Sequence, residues 1–175
     1  EYTMERLREE YDAVYIAIGA HTDKKVGIEG EDAENVLSAV EFLGKIGDDE
    51  LPDLTGKKVC IIGGGNVAMD CTRSAIRCGA ERVSIVYRRR QEDMTALPEE
   101  VEGAIAEGAV MMDLHAPLRI ETDETGKVSA LWAAPKMPGH IKGGRMNPTD
   151  SGLDDKRIEC DVVIVAVGQG IDYHT

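Results

Sequence analysis

The sequence predicts an α/β protein: a three-layer Rossmann-like dinucleotide-binding domain with a parallel sheet and a small antiparallel β hairpin or meander. Two observations lead to this prediction. Between Lys57 and Arg90 a strand, a glycine turn, a helix and a second strand follow one another, which is the order of a parallel β-α-β unit. Further along, Leu118–Glu121 and Val128–Ala133 flank a polar turn and are expected to pair as an antiparallel hairpin.

The central unit is the most strongly patterned part of the chain. Val59–Ile62 is a short apolar run, typical of a buried parallel strand. Gly63–Gly65 interrupt it, and Asn66–Cys78 then has helical periodicity, with Gly79 placed to end the helix. Val83–Tyr87 is predicted to be the second strand, so the glycine turn lies between a strand and a helix.

The remaining elements are weaker predictions. Before the central unit we expect a helix over Thr3–Glu9, a strand over Asp12–Ile18, a loop over 21–35, a short helix begun by the capping box Ser38–Glu41, and a linker over Gly44–Gly56. After it we expect a loop over Gln91–Leu97, a helix from Pro98 to about Glu107, a strand over Val110–Leu114, the hairpin, a long loop over Pro135–Lys156 and a last strand over Ile158–Ala166.

Two strand segments repeat one pattern. Asp12–Gly19 and Asp161–Gly168 carry Asp, Val, Ala and Gly at equal offsets. One interpretation is that any two buried parallel strands look alike. The other is that two related nucleotide-binding units are present, one inserted into the other.

The glycine turn carries the dinucleotide-binding fingerprint. Gly63-x-Gly65-x-x-Ala68 provides a tight turn, a close approach for a pyrophosphate and a small residue where helix and strand pack. The pyrophosphate would bind the unpaired N–H groups at the start of the helix. The predicted binding residues are Gly63, Gly64, Gly65, Asn66 and Val67. A simple tight turn without a ligand is the alternative.

Three arginines at the end of the second strand predict which dinucleotide binds. NAD-binding units usually carry an acidic residue there, whereas this chain has Arg88, Arg89 and Arg90. Guanidinium groups bind phosphate in bidentate fashion, so the arginines favour the 2′-phosphate of NADP(H). A solvated basic turn is the alternative.

Composition excludes several other classes. With 33 acidic and 20 basic residues the net charge is -13, which argues against nucleic acid or an anionic membrane as a partner. No signal peptide is visible at the N-terminus, and no apolar run approaches the ~20 residues of a membrane span, so neither is expected. The four cysteines form no Cys-x-x-Cys and the four histidines are scattered, so we predict no metal site, no redox dithiol and a cytoplasmic location.

Longer stretches carry a resemblance to a known family. Gly63–Arg90, Met94–Val101 and Ala106–Gly108 resemble the NADPH-binding domain of the glutamate synthase small (beta) subunit family of FAD-dependent oxidoreductases. That family also includes the electron-input half of dihydropyrimidine dehydrogenase. Tyr11–Ala20 resembles the segment before the inserted NADPH domain, and Cys160–Asp172 resembles the segment that leaves it.

The resemblance implies a function and a domain plan. NADPH would pass hydride to FAD, and electrons would continue to iron–sulfur clusters or a partner subunit. Residues 1–55 would be the tail of a split FAD-binding domain and a connector, and residues 56–170 would be the NADPH-binding domain. Residues 171–175 would be the start of the return to the FAD-binding domain. The implied 2′-phosphate residues are Arg88 and Arg89, and the implied closing segment is Ala166, Val167, Gly168 and Gln169. The stretch near FAD would be Ala17, Ile18 and Gly19.

The same resemblance limits what this chain is expected to do alone. The FAD glycine motif, the C-terminal FAD segment and the cluster cysteines of the family are absent from the sequence, so we expect little FAD binding and little turnover. No general acid or base is predicted, because the cofactors perform hydride transfer. A non-catalytic NADP(H)-sensing module is the main alternative. A thioredoxin-reductase-like enzyme is disfavoured because no Cys-x-x-Cys is present.

Overall fold

The computed structural model describes residues 2–17 and 19–171. The helices are α1 (Met4–Glu10), α2 (Ala39–Gly47), α3 (Asn66–Arg77) and α4 (Pro98–Ala106), with a 3₁₀ turn over Gln91–Asp93. The strands are β1 (Thr22–Asp23), β2 (Val36–Ser38), β3 (Lys58–Ile62), β4 (Arg82–Val86), β5 (Val110–Met112), β6 (His115–Thr122), β7 (Val128–Met137), β8 (Ile141–Lys142), β9 (Arg145–Met146), β10 (Thr149–Asp150), β11 (Lys156–Glu159), β12 (Val162–Val165) and β13 (Gln169–Gly170).

A five-stranded parallel sheet forms the centre of the molecule. Its order is β2-β12-β3-β4-β5, and each neighbouring pair is parallel. The chain winds from β3 through α3, β4 and α4 to β5 on one side, whereas β12 pairs with β3 on the other side. In sheets of this kind ligands bind beyond the carboxyl ends of the strands where the winding direction changes. That position here is the gap between β3 and β12.

The two faces of the parallel sheet are covered by different layers. Ile61 and Ile85 face one side and pack in a core with Met69 of α3, and all three side chains are fully buried. Cys60 and Val163 face the other side. There they pack against buried side chains of the antiparallel strands: Ile120, Val128, Leu131, Ala133 and Ile158. The predicted three-layer α/β class is therefore confirmed, and the hairpin is its third layer rather than an appendage.

The predicted last strand is in fact two strands in two sheets. Within Ile158–Ala166, β11 pairs antiparallel with β7, whereas β12 pairs parallel with β2 and β3. The chain changes sheet at Asp161, whose carboxylate accepts a hydrogen bond from the Lys58 amide at 2.7 Å. The sequence could not reveal this break, because Ile158, the buried residue of β11, lies close in sequence to the buried residues of β12.

The predicted strand over Asp12–Ile18 is not present in the described residues 12–17, and Ile18 lies outside the described residues. Val14, Tyr15 and Ile16 are exposed, Tyr15 to 92%. Strand hydrogen bonds need a neighbouring strand, and no segment in the described part of the chain pairs with this one.

The expected connector contributes to the fold. Val36–Ser38 forms β2 at the edge of the parallel sheet, and α2 buries Phe42 completely. The capping box is confirmed, since the Ser38 hydroxyl accepts a hydrogen bond from the Glu41 amide at 3.0 Å. Its helix continues to Gly47. Residues 36–47 are thus packed on the sheet that the sequence assigned to residues 56–170.

The predicted loop over Pro135–Lys156 contains several short strands. β7 extends to Met137, β8 and β9 form a small hairpin, and β10 returns to pair with β7. Strands of two residues are too short to give a sequence pattern. The segment therefore forms part of the molecule's structured surface.

Candidate functional site

A cavity of about 660 Å³ opens at the carboxyl ends of β3, β4 and β12. Most of the residues predicted to bind a dinucleotide line it: Gly63, Gly64, Gly65, Asn66, Val67, Arg88, Arg89, Ala166, Val167, Gly168 and Gln169. Residues about 100 positions apart in sequence thus meet at the point where the sheet changes winding direction.

The glycines of the turn have different structural roles. Gly63 has φ +152°, and a Cβ built there would lie 2.4 Å from the carbonyl oxygen of Ala166. Only glycine fits that position. Gly65 is the N-cap of α3 with φ -102°. A Cβ built on Gly65 would lie 3.4 Å from the Thr95 hydroxyl oxygen, which is the nearest atom. The fold therefore requires Gly63, whereas at Gly65 the missing side chain leaves space for a ligand.

The start of α3 offers unpaired donors to the cavity. The amide N–H groups of Gly64, Gly65, Asn66 and Val67 have no acceptor among the residues that the structure describes. No side chain caps the helix, and its first turn contains no acidic residue. Such an end carries partial positive charge and binds anions. The arrangement fits a pyrophosphate.

Tyr87 joins the glycine turn to the loop that follows β4. A Cβ on Gly64 would lie 2.5 Å from the Tyr87 ring, so the ring lies directly against the turn. The Tyr87 hydroxyl donates to the Asp93 carbonyl at 2.9 Å. The amides of Thr95 and Ala96 donate to the Gly64 carbonyl at 3.0 and 3.1 Å. The turn and the arginine-bearing loop are therefore tied together.

Asn66 has a structural partner as well as a place in the cavity. Its side-chain oxygen accepts a hydrogen bond from the Leu97 amide at 2.8 Å. This bond holds the residue before α4 next to the first residue of α3. The Asn66 amide N–H remains available to a ligand.

The three arginines are in different environments. Arg88 is exposed on the cavity wall, and its guanidinium has no hydrogen-bond or ion-pair partner among the described residues. Arg89 also lines the cavity, and its Nε donates to the Met146 carbonyl at 2.9 Å. Arg90 does not line it. Its guanidinium donates to both carboxylate oxygens of Asp93 at 2.8 and 3.0 Å, which lowers the pKa of Asp93 and raises that of Arg90.

Several lining residues were not foreseen from the sequence. They come from the segment before β2, from the start of α2, from β6 and from the hairpin of β8 and β9: Lys24, Lys25, Val26, Ala39, Pro117 and Arg145. The Lys24 amide donates to the Gly168 carbonyl at 3.2 Å, and β1 pairs with β13 next to it. No local motif marks these residues. Only the pairing of distant segments brings them to the cavity.

The cavity is basic although the protein is acidic. Its charged lining residues are all cations: Lys24, Lys25, Arg88, Arg89 and Arg145. No acidic side chain of the described chain lines it, while the net charge of the protein is -13. A concentrated positive field in an acidic molecule attracts an anionic ligand to one place.

The residues expected near FAD lie elsewhere. Ala17 and Gly19 are exposed and do not line the cavity, and Gly19 has φ +71°. Ile18 is outside the described residues. The structure therefore does not bring Ala17 or Gly19 to the dinucleotide cavity.

Two of the buried cysteines, Cys60 and Cys71, are not placed for thiolate chemistry. Burial raises the pKa of Cys71 to about 12, and a hydrogen bond with Cys160 together with burial raises that of Cys60. Within residues 2–17 and 19–171 no group of three or more His, Cys, Asp or Glu could hold a metal ion. None of the helices in the same ranges has the length and hydrophobicity that a bilayer-spanning helix needs.

Comparison with protein families matches residues 3–174 to the pyridine nucleotide-disulphide oxidoreductases. The chain belongs to this family. It is 37% identical over 98% of its length to the NADP(+)-dependent formate dehydrogenase subunit beta of Moorella thermoacetica, and 34% identical over 94% to the glutamate synthase [NADPH] small chain of Escherichia coli K12. The chain spans only 25% and 37% of these relatives. The predicted resemblance to the glutamate synthase small-subunit family is confirmed.

Two solved structures share the fold of this chain. Mycobacterium tuberculosis FprA in complex with NADPH has a TM-score of 0.73 at 23% identity, covering 95% of this chain and 52% of FprA. The thioredoxin reductase of T. acidophilum has a TM-score of 0.63 at 17% identity, covering 84% of this chain and 41% of that enzyme. At these identities the likeness shows the fold alone.

Proposed function

We propose that this chain is the NADPH-binding, electron-entry part of a larger FAD-dependent oxidoreductase, in which hydride passes from NADPH to FAD and electrons continue to iron–sulfur clusters or a partner subunit. The observation that carries the proposal is one basic cavity in which the unpaired N–H groups of the glycine turn and the guanidinium groups of Arg88 and Arg89 face the same space. NADP(H) carries both a pyrophosphate and a 2′-phosphate, and the 2′-phosphate distinguishes it from NAD(H).

The residues of this chain would bind and orient the dinucleotide. Gly65 lets a pyrophosphate approach the start of α3, and the N–H groups of Gly64 to Val67 donate to it. Arg88 supplies a full guanidinium for the 2′-phosphate, and Arg89 supplies the donors not used by Met146. Val167, Gly168 and Gln169 form the wall on the β12 side of the turn. A bound nicotinamide dinucleotide supplies the hydride, so these side chains need no acid or base function.

The exposed segment before β1 supports a link to a second domain. Tyr11, Val14, Tyr15 and Ile16 leave apolar side chains exposed along an extended stretch without a pairing strand. We propose that this stretch becomes a strand of an FAD-binding domain completed by other parts of a longer protein. Ala17, Ile18 and Gly19 would then lie near FAD, and residues 171–175 would lead back to that domain.

The names of the relatives favour electron transfer over a purely regulatory nucleotide sensor. The Geobacter sulfurreducens relative, an NADPH-Fe(3+) oxidoreductase subunit beta, is 36% identical over 98% of this chain, which spans 26% of it. The formate dehydrogenase and glutamate synthase relatives are likewise named as redox subunits that use NADP or NADPH.

Calorimetric titration with NADPH and with NADH tests the nucleotide preference. Two charge-assisted bonds of about 1.5–3 kcal/mol each predict a preference for NADPH of about 100-fold or more. Arg88→Ala should lower that preference roughly 10-fold to 100-fold by weakening NADPH and leaving NADH nearly unchanged. Arg82→Ala is the matched control, since Arg82 lies at the opposite end of the same strand and donates to the Glu159 carbonyl at 2.7 Å.

Two results would count against NADP(H) binding. One is no heat of binding with NADPH at millimolar concentration, and the other is equal affinity for NADPH and NADH. The visible spectrum of the protein expressed from the full reading frame tests separately whether the complete protein binds a flavin. Flavin absorbance that NADPH bleaches supports the oxidoreductase, whereas a colourless full-length protein that still binds NADPH supports the sensing module.

A further inference from the structure

The small hairpin of β8 and β9 carries one of the arginines that line the cavity. Lys142 pairs with Arg145 in an antiparallel register, and Gly143 and Gly144 between them have φ +61° and +77°. Two consecutive residues with positive φ form the two-residue turn whose twist matches that of a hairpin. Arg145 is therefore the first residue after a tight turn, and the backbone fixes its position.

The hairpin is attached to the arginine loop and to the antiparallel layer. Met146 is 4% exposed, and its carbonyl accepts the hydrogen bond from Arg89 Nε at 2.9 Å. The amide of Asn147 donates to the His140 carbonyl at 3.0 Å, and the Ser151 hydroxyl donates to the Pro135 carbonyl at 2.7 Å. Arg89 therefore holds the backbone next to Arg145 against the loop that carries Arg88.

Three arginines line one cavity. Arg88, Arg89 and Arg145 line the same space, and no acidic residue of the described chain does so. Arg145 is exposed, and no hydrogen bond or ion pair of its guanidinium exists with any described residue. Like charges repel, so such a cluster is stabilised by an anion that binds between the groups.

We propose that Arg145 binds the 2′-phosphate of the dinucleotide together with Arg88, and that Arg89 positions it through the Met146 carbonyl. The proposal rests on the proposed function and adds to it a specificity-determining residue outside the β-α-β unit. It gives the segment over Pro135–Lys156 a role: its hairpin forms the outer wall of the phosphate pocket. Discrimination for the 2′-phosphate then depends on the antiparallel layer as well as on the end of β4.

Titration with adenosine 2′,5′-bisphosphate and with 5′-AMP isolates the contribution of the 2′-phosphate. Arg145→Ala should weaken the bisphosphate roughly 10-fold to 100-fold, as expected for one charge-assisted bidentate contact, and should change 5′-AMP affinity by less than about 2-fold. Arg145→Lys keeps the charge but loses the bidentate geometry and should fall between Arg145→Ala and the unmodified protein. Arg82→Ala again controls for the loss of one positive charge.

The outcomes separate this proposal from the function on which it rests. If Arg88→Ala weakens the bisphosphate while Arg145→Ala does not, the proposal for Arg145 is overturned and NADP(H) binding stands. If the unmodified protein does not distinguish the bisphosphate from 5′-AMP, both are overturned. Because Arg145 is exposed, we expect its variants to fold. Thermal unfolding of each variant verifies this before titration.

Discussion

Alanine substitutions at Gly65 and Gly63 should separate ligand binding from folding. In Gly65→Ala the new methyl would lie 3.4 Å from the Thr95 hydroxyl, and the backbone at φ -102° accepts alanine. Alanine restricts the unfolded chain more than glycine does, which stabilises the folded protein by about 0.4–1 kcal/mol. Alanine at an N-cap destabilises the helix by a similar amount. We therefore expect the free energy of unfolding to change by less than about 1 kcal/mol, or about 2–4 °C in Tm.

The same methyl should greatly weaken NADPH binding. It would occupy space beside the amides at the start of α3, to which we propose that the pyrophosphate binds. Losing two charge-assisted hydrogen bonds of about 1.5–3 kcal/mol each predicts a fall in affinity of about 100-fold or more. Calorimetry measures the affinity, and differential scanning calorimetry on the same sample measures the stability.

Gly63→Ala provides the matched comparison. Its Cβ would lie 2.4 Å from a backbone oxygen of Ala166 at φ +152°, so we expect a loss of about 3 kcal/mol or more in stability. The reasoning is wrong if Gly65→Ala binds NADPH as tightly as the unmodified protein. It is also wrong if Gly65→Ala is destabilised as much as Gly63→Ala.

Three further predictions concern the rest of the fold. Phe42→Ala should lower stability by about 3–5 kcal/mol in thermal unfolding, because Phe42 is fully buried; a change below about 1 kcal/mol would mean that α2 does not belong to the core. Hydrogen bonds from Arg157 and Trp132 lower the pKa of Glu121 from 4.5 to about 2, so the stability that they provide is present above about pH 4.5 and lost as the pH falls towards 2. The difference in Tm between Glu121→Gln and the unmodified protein should therefore shrink across that interval, and a constant difference would contradict this. In alkylation at about pH 7 followed by mass spectrometry, the partly exposed Cys78 should react before Cys71, whose buried thiol has a pKa of about 12; equal rates in the folded protein would contradict the burial of Cys71.

Local sequence signals were sufficient for the β-α-β unit. Its strand, turn and helix are contiguous, so the spacing of Gly63, Gly65 and Ala68 fixes their geometry without knowledge of the rest of the chain. The arginine loop follows directly, and Arg88 and Arg89 lie on the cavity wall as the spacing suggested. Arg90 was also predicted to bind the dinucleotide, but its guanidinium pairs with Asp93 instead. Spacing along the sequence cannot reveal which nearby partner an arginine binds.

Features that depend on distant pairing were not predictable. Val36–Ser38 becomes a strand only because β12 lies beside it, and Asp12–Ala17 remains unpaired although its sequence closely resembles that of β12. The apolar run over Ile158–Ala166 is divided because the chain passes from one sheet to another. Arg145 reaches the cavity through a hairpin whose strands have two residues each. Pairing supplies the information in all these cases.

The contact between the Tyr87 ring and Gly64 has a consequence for which molecules the site can accept. Because this ring and the bonds from Thr95 and Ala96 tie the turn to the loop, we expect the backbone to hold the two proposed phosphate positions at a fixed separation. Their separation is then determined by the protein and not by the bound ligand. The site would therefore select nucleotides by the distance between their two phosphate groups. A nucleotide with the same charges at a different spacing would place only one of its phosphates in a binding position.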